Sequence, residues 1–103
     1  MNTDIQKAFH EAVSHNDIET ARRMIAAGAD VNAVYDGNDY CILMQALSNG
    51  LTTNLSICKL LLDRGSDYAY VNNEGRSAYT VSRTWKHIAD FYDNAIQELE
   101  SKK

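Results

Sequence analysis

The chain has 103 residues, of which 45% are hydrophobic and 23% are charged. It is therefore long enough for one folded domain and too short for two. Ten lysines and arginines stand against fourteen aspartates and glutamates, which gives a net charge of −4 with neutral histidines. This composition excludes intrinsic disorder as the default and lacks the basic surface that direct nucleic-acid binding requires.

The N-terminal residues and the cysteines indicate the cellular compartment of the protein. Residues 1–7 contain no basic start followed by an apolar run, so we expect no secretory signal. The longest aliphatic runs, residues 42–44 and 60–62, are far shorter than the roughly 20 residues that cross a bilayer. We expect a cytoplasmic protein without membrane contact, in which Cys41 and Cys58 stay reduced.

Two short amphipathic helices are predicted in the first third of the chain. The second has its apolar residues at i, i+3, i+6 and i+7, which places them on one helical face. Asn16 separates the helices and Gly28 ends the second one, and both residue types tolerate a left-handed backbone. The two apolar faces consist of Phe9, Ala12 and Val13, and of Ile18, Ala21, Met24 and Ile25.

The same pattern follows twice more along the chain. A second helix pair is predicted around residues 43–47 and 55–62, with Asn54 as a helix cap and Gly65 at the end. A third pair ends in a longer helix at about residues 88–100, with Lys86 in the turn before it. Gly28 and Gly65 lie 37 positions apart, and a period of 20–50 residues indicates stacked repeats.

These units resemble the ankyrin repeat. Residues 28–33 read GADVNA, similar to the family's ending of the second helix, and residues 9–12 read FHEA where the family has L-H-x-A. Residues 41–46 and 73–82 occupy the corresponding openings of the second and third units. The resemblance implies an all-α solenoid of helix–turn–helix repeats linked by hairpin-like loops, one domain over 1–103 with repeats at about 4–36, 37–72 and 73–100.

The chain departs from the family at one fixed place. It contains no proline, although the family's opening motif includes one. Ala8, Ile42 and Ala78 occupy the corresponding positions, so capping and packing alone are expected to fix each helix start.

No constellation of residues predicts catalysis. His10, His15 and His87 form no metal-binding pair, the five glycines are scattered, and no serine stands in a recognisable nucleophile motif. We expect a protein that is not an enzyme and that has no cofactor and no metal. The resemblance implies that His10 is a buried structural residue that bonds to loop backbone.

In the resembling family, partners bind the concave face, which consists of the loop tips and the first helix of each repeat. The outward positions of the first helices would include residues 11, 14 and 15, then 45, 48 and 49, then 81, 84 and 85. Tyrosine and tryptophan bring large rigid contact area to interfaces. The partner-binding residues expected on this basis are Tyr35, Asp36, Asn38, Asp39, Tyr40, Tyr70, Asn72, Glu74 and Trp85.

For two aromatic residues of this region, packing within the protein is also an interpretation. Trp85 either belongs to the interface or covers the open end of the last repeat. Tyr79 is assigned to the core. The acidic loops favour a partner with a basic surface.

The leading hypothesis is a non-catalytic protein–protein interaction module, a small binder or inhibitor that sequesters one partner. One alternative is a structural protein that self-associates through the ends of its stack, so the chain would be a monomer or a weak homodimer. The other alternative is an acidic nucleic-acid mimic that blocks a nucleic-acid-binding protein.

Overall fold

A computed structural model of the chain describes residues 3–34, 39–49 and 53–102. Within these ranges the chain forms six helices and no extended strand, which confirms the predicted all-α class. Their bounds are α1 Thr3–Ser14, α2 Ile18–Ala26, α3 Ile42–Leu47, α4 Leu55–Asp63, α5 Ala78–Ser82 and α6 Lys86–Ser101. None of the helices in this part of the chain combines the length and apolar character needed to cross a bilayer.

The helices are arranged as three pairs in two layers. Each helix packs against its sequence neighbour within a pair: α1 with α2, α3 with α4, and α5 with α6. Across the pairs, α3 contacts both α1 and α5, and α4 contacts both α2 and α6. The first helices therefore form one layer and the second helices another, with the core between them, as in a stacked-repeat solenoid.

Glycine ends the second helix of the first two pairs, as predicted. Gly28 has φ 110° and Gly65 has φ 95°, a left-handed region where a side chain would be strained. The N–H of Gly28 donates to the Ile25 carbonyl at 3.0 Å, and that of Ala29 donates to the Met24 carbonyl at 2.9 Å. These two bonds form a Schellman motif, which satisfies carbonyls that the helix end leaves free.

Polar side chains fix the starts of the second helices. The carboxylate of Asp17 accepts a hydrogen bond from the Thr20 N–H at 3.2 Å. Asn54 Oδ1 accepts from the N–H groups of Ser56 and Ile57 at 2.9 and 3.3 Å, which confirms its predicted capping role. Removing such a cap costs about 1 kcal/mol.

The loop after α2 is hydrogen-bonded to the loop after α4. Asn32 Oδ1 accepts from the Asp67 N–H at 2.6 Å, and Asn32 Nδ2 donates to the Gly65 carbonyl at 3.4 Å. The Ser66 hydroxyl donates to the Val31 carbonyl at 3.0 Å, which satisfies this buried side chain. Single antiparallel bridges at Val34–Cys41 and Val71–Ser77 give the loops the expected hairpin-like form.

A single hydrophobic core runs through all three pairs. It is centred on the fully buried Phe9, Leu43, Leu61 and Ile88. Tyr79 does not belong to this core: it is 54% exposed, and the Arg83 guanidinium lies over its ring at 4.2 Å. The core prediction for Tyr79 was wrong because α5 is only five residues long and turns this side of the helix to solvent.

Two predicted helix boundaries also differ from the structure. Lys86 is the first residue of α6 and does not lie in the turn, which is formed by residues 83–85. Ala8 lies in the middle of α1 and not at a helix start. In contrast, Ile42 and Ala78 are each the first residue of a helix, which is the position where proline is tolerated.

Burial should make both thiols unreactive in the folded protein. Cys41 and Cys58 are buried free cysteines, and burial raises the pKa of the Cys58 thiol to about 12 and that of Cys41 above its usual range. Because the thiolate is the nucleophile, we expect native protein at pH 8 to react with Ellman's reagent at least about 100-fold more slowly than unfolded protein. Rapid native release of two equivalents would contradict this.

The same pKa shift predicts a loss of stability at alkaline pH. A group whose pKa is higher in the folded state contributes its full stabilisation below the pKa of the unfolded chain, which is about 8.5 for Cys. This contribution falls as the pH rises towards 12. Burial also raises the pKa of the Tyr92 phenol to about 12, so its contribution falls above about pH 10. Urea unfolding at pH 8 and pH 10.5 should show the decrease, and Tyr92→Phe should show a smaller one.

Candidate functional site: a groove between Tyr40 and Trp85

A groove of about 310 Å³ lies between α3, α5 and the loops that precede them. Its apolar floor includes Leu47 and Val81, and hydroxyl groups line its walls at Ser48, Thr80 and Thr84. Tyr40 and Trp85, two of the expected partner-binding residues, belong to the same lining, although 45 positions separate them. We call this feature the Tyr40–Trp85 groove.

Among the described residues that line the groove, Arg76 is the one with a formally charged side chain. Its Nη1 donates to the Tyr40 hydroxyl at 3.4 Å, and its Nε lies 3.9 Å from a carboxylate oxygen of Glu74. The side chains of Arg76 and Glu74 are about 60% exposed, so these contacts are weak and the guanidinium can reach a ligand. The described residues of the groove lining therefore carry one positive charge.

Tyr70 joins the two loops beside the groove. Its hydroxyl donates to the Asp39 carbonyl at 2.8 Å, while the ring packs against the core. Asp39 has φ 56°, in the left-handed region where aspartate is among the more tolerant residues. Desolvation raises the pKa of the Tyr70 phenol, so it remains a donor at neutral pH. These two residues hold the loops together.

Asn72 is turned into its own loop. It is only 5% exposed, and its Oδ1 accepts from the N–H groups of Glu74 and Arg76 at 3.0 and 2.8 Å. The Asn72 N–H donates in addition to the Arg76 carbonyl at 2.8 Å. In this position Asn72 shapes the loop that presents Glu74 and Arg76, and its side chain is not displayed at the surface.

Trp85 precedes α6 as its N-terminal flanking residue and is 38% exposed. Its ring lies edge-on to that of His87, with centroids 6.3 Å apart. Thr84, immediately before it, is exposed and lines the same groove. Tryptophan at the end of a groove combines partial burial, which holds the ring, with a free face for contact.

The remaining expected residues are distributed less uniformly. Tyr35, Asp36 and Asn38 lie outside the described residues. The outward positions of α1 are exposed, as is Ser48 on the second unit. Val81 was expected to point outward, but it is buried and contributes only the floor of the groove.

Arg76 was not among the residues expected to bind a partner. The available signal was an arginine directly after Gly75, at the base of a loop that also carries tyrosine and acid. Arginine is enriched in interfaces and among hot spots, together with tyrosine and tryptophan. Its pairing with Tyr40 spans 36 positions, which no local pattern reveals.

His10 contacts Gln6, and Gln6 is hydrogen-bonded to the loop after α2. Gln6 Nε2 donates to the Asp30 carbonyl and Gln6 Oε1 accepts from the Asp30 N–H, at 3.0 and 2.7 Å. His10 Nε2 lies 3.0 Å from Gln6 Nε2 and acts as its acceptor. Burial lowers the pKa of His10, which keeps the ring neutral for this role. Gln6 thus bonds to the loop backbone and also contacts the His10 ring.

Within residues 3–34, 39–49 and 53–102, no group of three or more His, Cys, Asp or Glu side chains could hold a metal ion. The geometry of the groove instead suits recognition: aromatic rings, hydroxyls and one guanidinium around an apolar floor. The two-layer stack of helix pairs defines a repeat solenoid, and this groove lies on the side formed by the first helices and the loops.

Comparison with known proteins agrees with this class. The family model for ankyrin repeats, in three copies, matches residues 3–90, and the chain belongs to the ankyrin repeat family. It is similar to an ankyrin repeat protein of fowlpox virus (strain NVSL), with 35% identity over 81 residues. The match covers 78% of this chain and 17% of the relative's length. Ankyrin repeats are generally non-catalytic modules for protein–protein interaction.

Proposed function

We propose that the chain is a small binder that sequesters one protein partner through the Tyr40–Trp85 groove and the adjoining loop tips. The observation that carries this proposal is the convergence of Tyr40, Trp85 and Arg76 on one groove. Tyrosine, tryptophan and arginine are the residue types that dominate interface energetics. By covering a surface of its partner, such a module inhibits whatever that surface does.

The groove specifies the chemistry of the partner in part. An apolar or aromatic side chain of the partner would enter over Leu47 and Val81, and an acceptor group would face the Arg76 guanidinium. Around this centre, the exposed carboxylate of Glu74, together with Asp39 of the other loop, favours basic residues on the partner's rim. The net charge of −4 would speed encounter with such a surface.

The test uses a variant that fills the groove without disturbing the core. Immobilised wild-type protein is used to capture binding proteins, and Kd is then measured with the purified partner. Thr84→Arg places a long charged side chain at an exposed position in the groove lining and should weaken binding at least about tenfold. Trp85→Ala should cost about 2 kcal/mol, a factor of about 30 in Kd.

Gln97→Arg on α6 is the matched control, because it introduces the same side chain at an exposed position outside the groove lining. It should bind as the wild type does. If Thr84→Arg and Trp85→Ala both retain wild-type Kd while the protein still captures its partner, binding occurs elsewhere and the groove assignment fails.

A further inference from the structure

A second and larger groove, of about 850 Å³, is formed by the other layer of helices. It runs along α4 and is bordered by Ile18 and Arg22 of α2 and by Phe91 of α6. Of the residues that the structure describes, none lines both this groove and the Tyr40–Trp85 groove. We call it the α2–α4–α6 groove.

The floor of this groove is apolar and partly exposed. Ile18, Leu55 and Phe91 pack against the core with one side and remain only half-buried on the other. These side chains come from three different helices and line one groove across the stack. Covering such surface would contribute roughly in proportion to the area removed from water.

The rim of the groove is cationic, although the chain as a whole is acidic. Three cationic side chains, Arg22, Lys59 and Arg64, line it against one carboxylate, Asp63. Lys59 pairs with Asp63, whose Oδ1 lies 2.8 Å from its Nζ, and with Glu98, whose Oε1 lies 3.7 Å away. The groove lining therefore carries an excess of two positive charges, three minus one, on a chain of net charge −4.

The two remaining cations are available to a ligand. Arg22 has only a 3.5 Å contact with Glu19, and its side chain is 52% exposed. Arg64 is exposed and makes no ion pair with any residue of the described ranges. The guanidinium groups are suited to bidentate binding of carboxylates.

We propose that the α2–α4–α6 groove is a second docking surface, and that its occupant is an acidic amphipathic helix of a partner protein. The apolar side of that helix covers Ile18, Leu55 and Phe91, and its Asp or Glu side chains reach Arg22 and Arg64. Charge complementarity selects this occupant, because a basic helix would meet the weakly paired Arg22 and the Arg64 guanidinium, both exposed. The apolar floor favours a peptide over a nucleic acid, which contributes mainly phosphate contacts.

The experiment uses a defined probe: a synthetic amphipathic helix about 18 residues long, with Leu on one face and Glu on the other. The full chain, labelled with ¹⁵N, is titrated with this peptide at low and high salt. We expect amide shifts in α2 and α4, a Kd that rises with salt, and no binding of the same peptide with Lys in place of Glu.

Charge-reversal variants locate the binding. Arg22→Glu combined with Arg64→Glu should raise Kd at least about tenfold, whereas Arg23→Glu should leave it unchanged. Arg23 is the matched control because it neighbours Arg22 on α2, is exposed, and does not line the groove. Circular dichroism confirms that each variant remains folded.

Three results would overturn the proposal: equal binding of the Lys peptide, an unchanged Kd in the double variant, or no amide shifts at millimolar peptide. Shifts confined to residues around Tyr40 and Trp85 would likewise overturn it. The Thr84→Arg variant should bind the Glu peptide normally, so failure of this proposal and failure of the proposed function are distinguished.

Discussion

Ala8→Pro is expected to lower the free energy of unfolding by about 3 kcal/mol or more. Ala8 lies in the interior of α1, Thr3–Ser14, although it occupies the sequence position where the repeat family has proline. Proline there removes the N–H that donates to the carbonyl of residue 4, and its ring collides with the same turn. Because α1 packs on both α2 and α3, the loss extends beyond one helix.

Ala78→Pro is the matched substitution and should have a much smaller effect. Ala78 is the first residue of α5, where the N–H has no intrahelical partner. Ser77 before it has φ −136° and ψ 177°, a conformation that a residue preceding proline can adopt. Proline reduces the entropy of the unfolded chain, which raises the free energy of unfolding by up to about 1 kcal/mol. This gain is offset in part because the buried site must accommodate the ring.

Urea unfolding followed by far-UV circular dichroism measures both variants. The expected order of stability is Ala78→Pro near wild type and Ala8→Pro far below it. Equal losses in the two variants would show that α1 does not extend through Ala8 as a regular helix.

Leu61→Ala should cost about 2–5 kcal/mol, because it deletes a fully buried side chain and leaves a cavity. Leu61 belongs to α4, which contacts α2 on one side and α6 on the other. In a stacked-repeat protein the stability of the whole depends on such nearest-neighbour interfaces, and three repeats is near the minimum for folding. We therefore expect the variant to lose structure in all three units together.

Two probes check this expectation. Trp85 fluorescence reports on the third unit, and far-UV circular dichroism reports on all helices, so their urea transitions should coincide at a lower midpoint. Leu99→Ala is the control, since Leu99 is only half-buried near the end of α6, and it should cost about 1 kcal/mol or less. A loss for Leu61→Ala as small as that for Leu99→Ala would contradict the central role of the middle repeat.

The ends of the helices could be predicted from the sequence because local chemistry determines them. Gly28, Gly65 and Asn16 all adopt the left-handed backbone that their residue types favour, and Asn54 caps α4. Each of these features depends on interactions within four residues. In contrast, the resemblance to the family's motif placed Ala8 at a helix start, and the helix instead includes it.

The candidate site could be predicted only in outline. Tyr40 and Trp85 were expected on the binding face, and both line one groove. The inward turn of Asn72 comes from hydrogen bonds to Glu74 and Arg76 in its own loop. The reach of Arg76 to Tyr40, in contrast, depends on how two loops stack and joins residues 36 positions apart. A pattern along the sequence contains no information on such pairings, because side-chain direction in a loop is set by tertiary hydrogen bonds.

The Asn32 amide has a consequence for the chemical ageing of the protein. Its Oδ1 faces the Asp67 N–H, which can only donate, so its Nδ2 must face the Gly65 carbonyl, which can only accept. Spontaneous deamidation of Asn32 to aspartate would replace that donor with a carboxylate oxygen and set it against the carbonyl. This change at a single exposed side chain would thus weaken the contact between two stacked loops, and stored protein would lose this contact before its core is affected.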